Sequence, residues 1–290
     1  MLTKSQLHTM CAEGPVLLDG ATGSNLIKAG MPRGCCTEEW ILAHPEILVA
    51  LQRRYVEAGS KILYAPTFQA QPIALERVGL DRQTEAVNAH LAALTRSVSS
   101  DILVAGDLTT LAVYIDSFDP ANFDLMVENY RRQIKGLIDG GVDLLAAETL
   151  MYPLEAEAIL TAAELEGATC CLYTFTMQSD GSFFSGREVG PVLKELEQAG
   201  AAAVGFNCVA ADAFTPALVS KLRRFVKIPL VCKPNAGVPV IGEDQLPHYD
   251  IQPEDFTAIV KDCKDMGANL LGGCCGTDPD FIAALHRAIS

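Results

Sequence analysis

The chain has 290 residues, 49% of them hydrophobic and 20% charged, enough to bury a large core. Its 22 Lys and Arg against 36 Asp and Glu leave a formal net charge of -14, so there is no basic field to hold a nucleic acid or an anionic membrane surface. No run of 18 or more apolar residues suggests a membrane span, and the N-terminal "MLTKSQLHTMCAEG" lacks the apolar stretch of a secretory leader, so a cytoplasmic location is expected.

Taken in chain order, the first apolar run is "VLLDG" at 16–20, continuing into a glycine-rich turn, Asp19, Gly20, Ala21, Thr22 and Gly23, that opens toward a helix. The following loop holds Cys35, Cys36 and the single tryptophan, Trp40. "PEILVALQRRYVEAG" then places Ile47, Leu48, Leu51 and Tyr55 at helical spacing. From here a phrase recurs: a helical stretch, a glycine, and an apolar run ending in small or polar residues. It reads "EAGSKILYAPT" at 57–67, "DGGVDLLAAET" at 139–149, "QAGAAAVGFNC" at 198–208 and "DMGANLLGGCC" at 265–275. The glycine is expected to end the helix and the run to be a buried strand. "DILVAGDL" at 101–108, "TCCLYTFT" at 169–176 and "PLVCKPN" at 229–235 are less regular runs that complete a set of eight with "VLLDG".

Eight apolar strands alternating with helices predict a parallel sheet covered on its faces, at a unit length of roughly 36 residues that suits an α/β fold of the (β/α)8 TIM-barrel type. An open doubly wound sheet is the alternative, but no GxGxxG follows the first strand. No linker or low-complexity block divides the chain, so residues 1–290 are expected to form one domain. In a barrel the active site lies at the C-terminal ends of the strands. Those ends carry Asp19 and Gly20, Thr67 and Phe68, Asp107, Glu148 and Thr149, Thr176, Asn207 and Cys208, Asn235, and Cys274 and Cys275.

Three of these residues are cysteines. Cys208 ends the sixth strand and Cys274 and Cys275 end the eighth, one strand apart in a closed barrel. Three sulfur ligands suit zinc and leave its fourth position open, the arrangement of a catalytic rather than a sealed structural site. Adjacent side chains on a strand face opposite ways, so both members of the doublet reach one ion only if the backbone bends, which Gly272, Gly273 and Gly276 would permit. The other cysteines read differently: Cys170, Cys171, Cys232 and Cys263 as buried apolar residues, Cys11 as a terminal residue, and Cys35 and Cys36 as exposed loop thiols.

"LLDGATGSNL" near the start, "GFNC" at 205–208 and "GGCCGT" at 272–277 resemble the homocysteine S-methyltransferases, from Val16 to about His286. "HPEILVALQRRYVEAGSKILYAPTFQA" and the "ETL" of the fourth strand extend the resemblance. It implies a zinc-dependent thiol methyltransferase that forms methionine, with Cys208, Cys274 and Cys275 as zinc ligands and catalytic residues and with homocysteine sulfur in the open position. It also implies that Glu148 receives the substrate amino group. Asp19 holds the first turn or faces the same ammonium, and Gly20, Ala21 and Thr22 offer backbone N–H groups to the carboxylate. Asn207 is expected beside Cys208, as a group that orients it or as a plain backbone cap.

The methyl donor is less legible. The family offers betaine, S-methylmethionine, or methylcobalamin charged from methyltetrahydrofolate. The chain has no DxHxxG cobalamin signature, no second barrel for folate and no long extension after the last helix of the kind that builds the betaine enzyme's oligomer. The preferred expectation is a methylcobalamin or methylfolate system on a separate corrinoid protein, with S-methylmethionine close behind. Betaine needs an aromatic cage, for which Phe68, Tyr64 and Trp40 are the candidates, Trp40 reading better as core. Two other classes remain: a Schiff-base aldolase using Lys233, and a non-catalytic zinc or corrinoid-binding module.

Overall fold

A computed structural model describes residues 1–242 and 247–290. Eight parallel strands form its centre: β1 (Val16–Leu17), β2 (Ile62–Tyr64), β3 (Leu103–Thr109), β4 (Leu144–Leu150), β5 (Cys171–Phe175), β6 (Ala203–Ala210), β7 (Leu230–Asn235) and β8 (Leu270–Leu271). Their spatial order is β1-β8-β7-β6-β5-β4-β3-β2, every pairing parallel. A bridge from Leu18 to Ile62 and the bond from Lys61 N–H to the Leu17 carbonyl, 2.7 Å, bring β1 beside β2 and close the (β/α)8 barrel. All eight strands expected from the sequence are present. β1, β2 and β8 are shorter than their apolar runs because the chain bends away at their C-terminal ends.

The alternation of side chains explains why these runs are apolar throughout. On β4, Leu144 and Ala146 face the barrel interior while Leu145 and Ala147 pack outward against helices, and all four are buried. The interior cluster also takes Leu18, Ile62, Tyr64, Leu172 and Val231. Helix Lys4–Glu13 covers its N-terminal end, inserting Leu7 and Cys11. It is tied there by Lys4 Nζ to the Gly200 carbonyl and by a contact of His8 Nε2 with the Ala202 carbonyl, each 2.8 Å. Cys11 is thus part of the barrel floor and not the incidental terminal residue its position suggested. Cys170, Cys171, Cys232 and Cys263 are buried as expected, whereas of the two loop thiols expected to be exposed Cys36 is buried and Cys35 is partly accessible.

The recurring glycines act as expected. Gly59, Gly141, Gly200 and Gly267 all have positive φ, between 78° and 107°, and each leads from a helix into a strand. Helix Pro45–Glu57 buries Leu48, Leu51, Gln52 and Tyr55 along one face and begins on a proline that needs no intrahelical donor.

Gly205 has a different duty. A Cβ there would lie 2.1 Å from the Val231 carbonyl oxygen of the neighbouring strand, a backbone atom that cannot turn aside. Gly205→Ala is therefore expected to lower stability by at least ~1–3 kcal/mol. Gly14, whose Cβ would meet nothing within 4 Å, should tolerate alanine. Urea unfolding of the two variants checks this: equal midpoints would show that β6 and β7 do not approach so closely.

Candidate metal centre and substrate cavity

The C-terminal mouth of the barrel holds a cavity of about 340 Å³. Asp19, Gly20, Ala21 and Thr22 line one side, and Cys208, Cys274 and Cys275 another. Phe68, Asp107, Glu148 and Thr149 also line it. Thr67, Thr176, Asn207 and Asn235, which the strand ends likewise suggested, are not in its wall.

The three sulfurs lie within 4.8 Å of one another, Cys208 Sγ being 3.0 Å from Cys274 Sγ and 3.8 Å from Cys275 Sγ. Each cysteine gets there by a break in regular strand geometry. Asn207 faces the barrel interior, so Cys208 would ordinarily face outward. The β6–β7 register slips between Asn207 and Ala210, and Cys208 takes a left-handed φ of 54° that returns its sulfur to the mouth. In the doublet, only Gly276 has a positive φ, 84°. Gly272 and Gly273 are needed for space instead: a Cβ would meet the Asp19 carbonyl at 2.7 Å and the Thr277 side chain at 2.3 Å. Thr277 fastens this segment, donating to the Cys274 carbonyl at 2.7 Å and accepting from Ala21 N–H at 3.2 Å, so that N–H of the first turn already has a partner.

Asn207 is fully buried and braces the centre. Its Oδ1 accepts from Thr149 N–H at 2.7 Å and from Thr174 Oγ1 at 2.9 Å, and its Nδ2 donates to Thr149 Oγ1 at 2.7 Å. The same Nδ2 reaches the sulfur of Cys274 at 3.8 Å, so the ligand it touches is Cys274, where the sequence suggested Cys208. Thr149 is the second non-glycine residue with positive φ, 59°, and sits at the matching slip between β4 and β5. Two residues of unfavourable φ, Thr149 held by the buried Asn207 amide and Cys208 next to Asn207 in sequence, mark the mouth as a place where regular strand structure yields to a specific geometry.

The thiols share charge unevenly. Hydrogen bonds from Cys208 and Cys274 pull Cys275 down to about 3, with the Tyr249 hydroxyl adding to the effect. Hydrogen bonding to Cys274 and Cys275, with burial, pushes Cys208 far up. Three thiolates this close would repel one another, so ionising all of them requires a cation among them. A tetrahedral ion with sulfurs at about 2.3 Å would set them roughly 3.8 Å apart, which the observed spacing meets after a small opening of the Cys208–Cys274 pair.

Beneath the sulfurs is a buried ion cluster that was not legible from sequence. Lys233 is 3% exposed, with Nζ 3.1 Å from Glu148 Oε2, 3.6 Å from Asp19 Oδ1 and 3.6 Å from the centre of the Tyr64 ring. Burial pulls the lysine down, but Glu148, Tyr64 and Asp19 outweigh it and hold Lys233 well above its ordinary range. A Schiff-base nucleophile must be neutral, so this ammonium does not suit the aldolase chemistry considered for it. Burial pushes Asp19 up to about 6 against the pull of Lys233 and Tyr64 N–H, and burial likewise raises Glu148. Glu38 also lines the cavity, buried, with Oε1 accepting Gln69 N–H at 2.7 Å and Oε2 accepting the Cys36 thiol at 3.4 Å. "CTEEW" reads as an ordinary helix start and gave no sign of it. Trp40 packs with His44, ring centres 4.6 Å apart, and is absent from the cavity wall.

Removing the lysine would strand Glu148 and Asp19 without a counter-charge. Lys233→Met is expected to cost ~3–5 kcal/mol near neutral pH. Both carboxyls already bind protons more tightly than in the unfolded chain, and more so without the lysine. Asp19 is neutralised as pH falls through about 6, and Glu148 too binds its proton at a higher pH than an ordinary carboxyl, so the deficit should be larger at pH 8 than at pH 5. Urea unfolding of the metal-free variant at both values measures it, and a deficit independent of pH would mean the ion cluster is not what the lysine stabilises.

Comparison with known proteins agrees with this geometry. The sequence profile of the homocysteine S-methyltransferases matches residues 16–289. Methionine synthase of Mycobacterium leprae (strain TN) is 26% identical over 291 residues, spanning 94% of this chain but only 24% of the relative, so the chain covers about a quarter of that protein's length. The crystal structure of the homocysteine methyltransferase MmuM from Escherichia coli in its metallated form superposes with a TM-score of 0.80 at 25% identity, covering 94% of this chain and 96% of that one. The oxidised form of the same enzyme gives the same score and its apo form 0.74. Carboxyl transferase domains of Rhizobium etli pyruvate carboxylase, at 16% identity and TM-scores near 0.56, share the fold alone. With the profile running from the first barrel strand to the last helix, the chain belongs to the homocysteine S-methyltransferase family.

Proposed function

We propose that the protein is a zinc-dependent homocysteine S-methyltransferase that forms methionine, its methyl group coming from a methylcobalamin or methyltetrahydrofolate system on a separate corrinoid protein. The observation that carries this reading is the set of three sulfurs within 4.8 Å of one another, opening onto a cavity lined by Asp19 and Glu148. Cys208, Cys274 and Cys275 would hold the ion. Bound there, zinc supplies the Lewis acidity that ionises a fourth thiol, that of the substrate.

The remaining work falls to the chain. Asn207 and Thr277 fix the ligand segments, so the three sulfurs are presented before substrate arrives. Asp19 and Glu148 favour the amino group, and Gly20 and Thr22 of the first turn, whose Ala21 N–H is given to Thr277, face the carboxylate. The substrate sulfur gains the methyl group, the donor departs without it, and the thiol proton is released to solvent.

The donor preference rests on the walls. A trimethylammonium cage needs several free aromatic faces, but Lys233 lies over Tyr64 and Trp40 is outside, leaving Phe68. That argues against betaine. A methionine synthase relative favours the corrinoid route. S-methylmethionine is the second reading, because a cavity lined by Asp19, Glu38, Asp107 and Glu148 favours a cationic sulfonium.

The test pairs metal content with donor turnover. Reduced wild-type protein is expected to hold about one zinc per chain and to form methionine from homocysteine and methylcobalamin. Cys208→Ala should lose both zinc and turnover while keeping its far-UV circular dichroism. Zinc retained at the wild-type level in that variant would refute the site. Turnover with S-methylmethionine but not methylcobalamin would replace the donor reading.

A further inference from the structure

The inward layer at the barrel mouth carries three carboxylates, Asp19, Asp107 and Glu148, and among the described residues one cation, Lys233, is paired with two of them, Asp19 and Glu148. The lysine is already committed. Its Nζ bonds Glu148 Oε2 and pairs with Asp19 Oδ1, while Asp19 Oδ2 accepts Tyr64 N–H at 2.8 Å. Asp107 is left over. It is 5% exposed, it lines the cavity, and its Oδ1 has no hydrogen-bond partner. Asp19 Oδ1 likewise accepts no hydrogen bond.

The position of Asp107 is not accidental slack. Its main chain is locked on both sides by buried groups: its N–H donates to Thr67 Oγ1 at 3.1 Å, and its carbonyl accepts from Thr67 Oγ1 at 2.9 Å and from Gln133 Nε2 at 3.2 Å. A backbone so fixed holds the carboxylate at the cavity wall. A buried carboxylate without a partner is costly, and an apolar residue would serve the core better. A cation with N–H donors entering the cavity would balance this oxygen.

We infer that Asp107, beside the Lys233-paired Asp19, receives the ammonium group of the substrate amino acid. This rests on the homocysteine reading above and adds a specificity residue to it, on a strand whose end carried no expected role. Burial, followed by the charge of Glu148, opposes ionisation of Asp107 in the empty cavity, and an arriving ammonium removes that opposition. A thiol of the same length without the amino group has nothing to offer Asp107, so this residue separates amino-acid thiols from plain mercapto acids.

The experiment measures equilibrium binding by calorimetry to the zinc-loaded protein, using homocysteine and 4-mercaptobutanoate, its counterpart without the amino group. Wild type should prefer homocysteine. Asp107→Asn, which keeps the shape and removes the charge, should weaken homocysteine about tenfold or more, while 4-mercaptobutanoate binds as before or more tightly. Asp107→Ala should behave alike, with zinc content and melting temperature confirming that both variants are intact. Unchanged preference for homocysteine in intact Asp107→Asn would overturn the inference and leave the methyltransferase reading standing. Failure of zinc-loaded wild type to bind homocysteine at all would overturn both.

Discussion

The inward face of a closed eight-stranded barrel admits little water, so each charged group on it must find its counter-charge among the few side chains that share its layer. Here that constraint governs the mouth. Below it the interior is apolar, built from Leu18, Ile62, Leu172 and their neighbours, and can be closed by one helix carrying Leu7 and Cys11. One layer higher, Lys233 draws Glu148 and Asp19 together across the barrel and lies over Tyr64. The sulfur centre rests on this ion cluster, with Cys274 close enough for its charge to act on both Glu148 and Lys233.

Much of the architecture was legible because one phrase recurs. A glycine that must take a left-handed φ, followed by an apolar run, marks the same event at Gly59, Gly141, Gly200 and Gly267. Counting eight runs then gives the barrel, and a barrel gives the mouth. The three sulfurs followed from the strand ends alone. The means by which they meet did not. Cys208 and Thr149 take backbone conformations that neither residue type favours, and these are imposed by register slips and by the buried amide of Asn207. Such slips depend on pairing between strands distant in sequence, which leaves no local trace. The glycines of the doublet were read as sites of bending, yet two of the three are there because Asp19 and Thr277 approach too closely for a side chain.

Charged pairings were hidden for the same reason. Lys233 and Glu148 are separated by 85 residues and meet only through barrel closure. Glu38 was obscured by a segment that looks like an exposed helix start, although its carboxylate is buried beneath the Gln69 amide. A lysine in an apolar strand suggests a nucleophile when read alone. Two carboxylates in contact turn it into a fixed positive charge, and the cavity around it into a site for something that carries the opposite need.

The closure of the barrel has a mechanical consequence. β1 pairs with β8 through two residues and with β2 through a single bridge from Leu18 to Ile62, so the seam at β1 is the thinnest part of the sheet and the place where fraying would begin. The cysteine doublet follows β8, and Cys208, whose sulfur lies beside that of Cys274, stands 66 residues upstream of it on β6, two strands away. An ion on the three sulfurs would act as a clasp over β7, holding the end of β8 to β6 on the near side of that seam. A fray that starts at β1 would then stop at β8 while the ion is held, and would run on to β7 once it is lost.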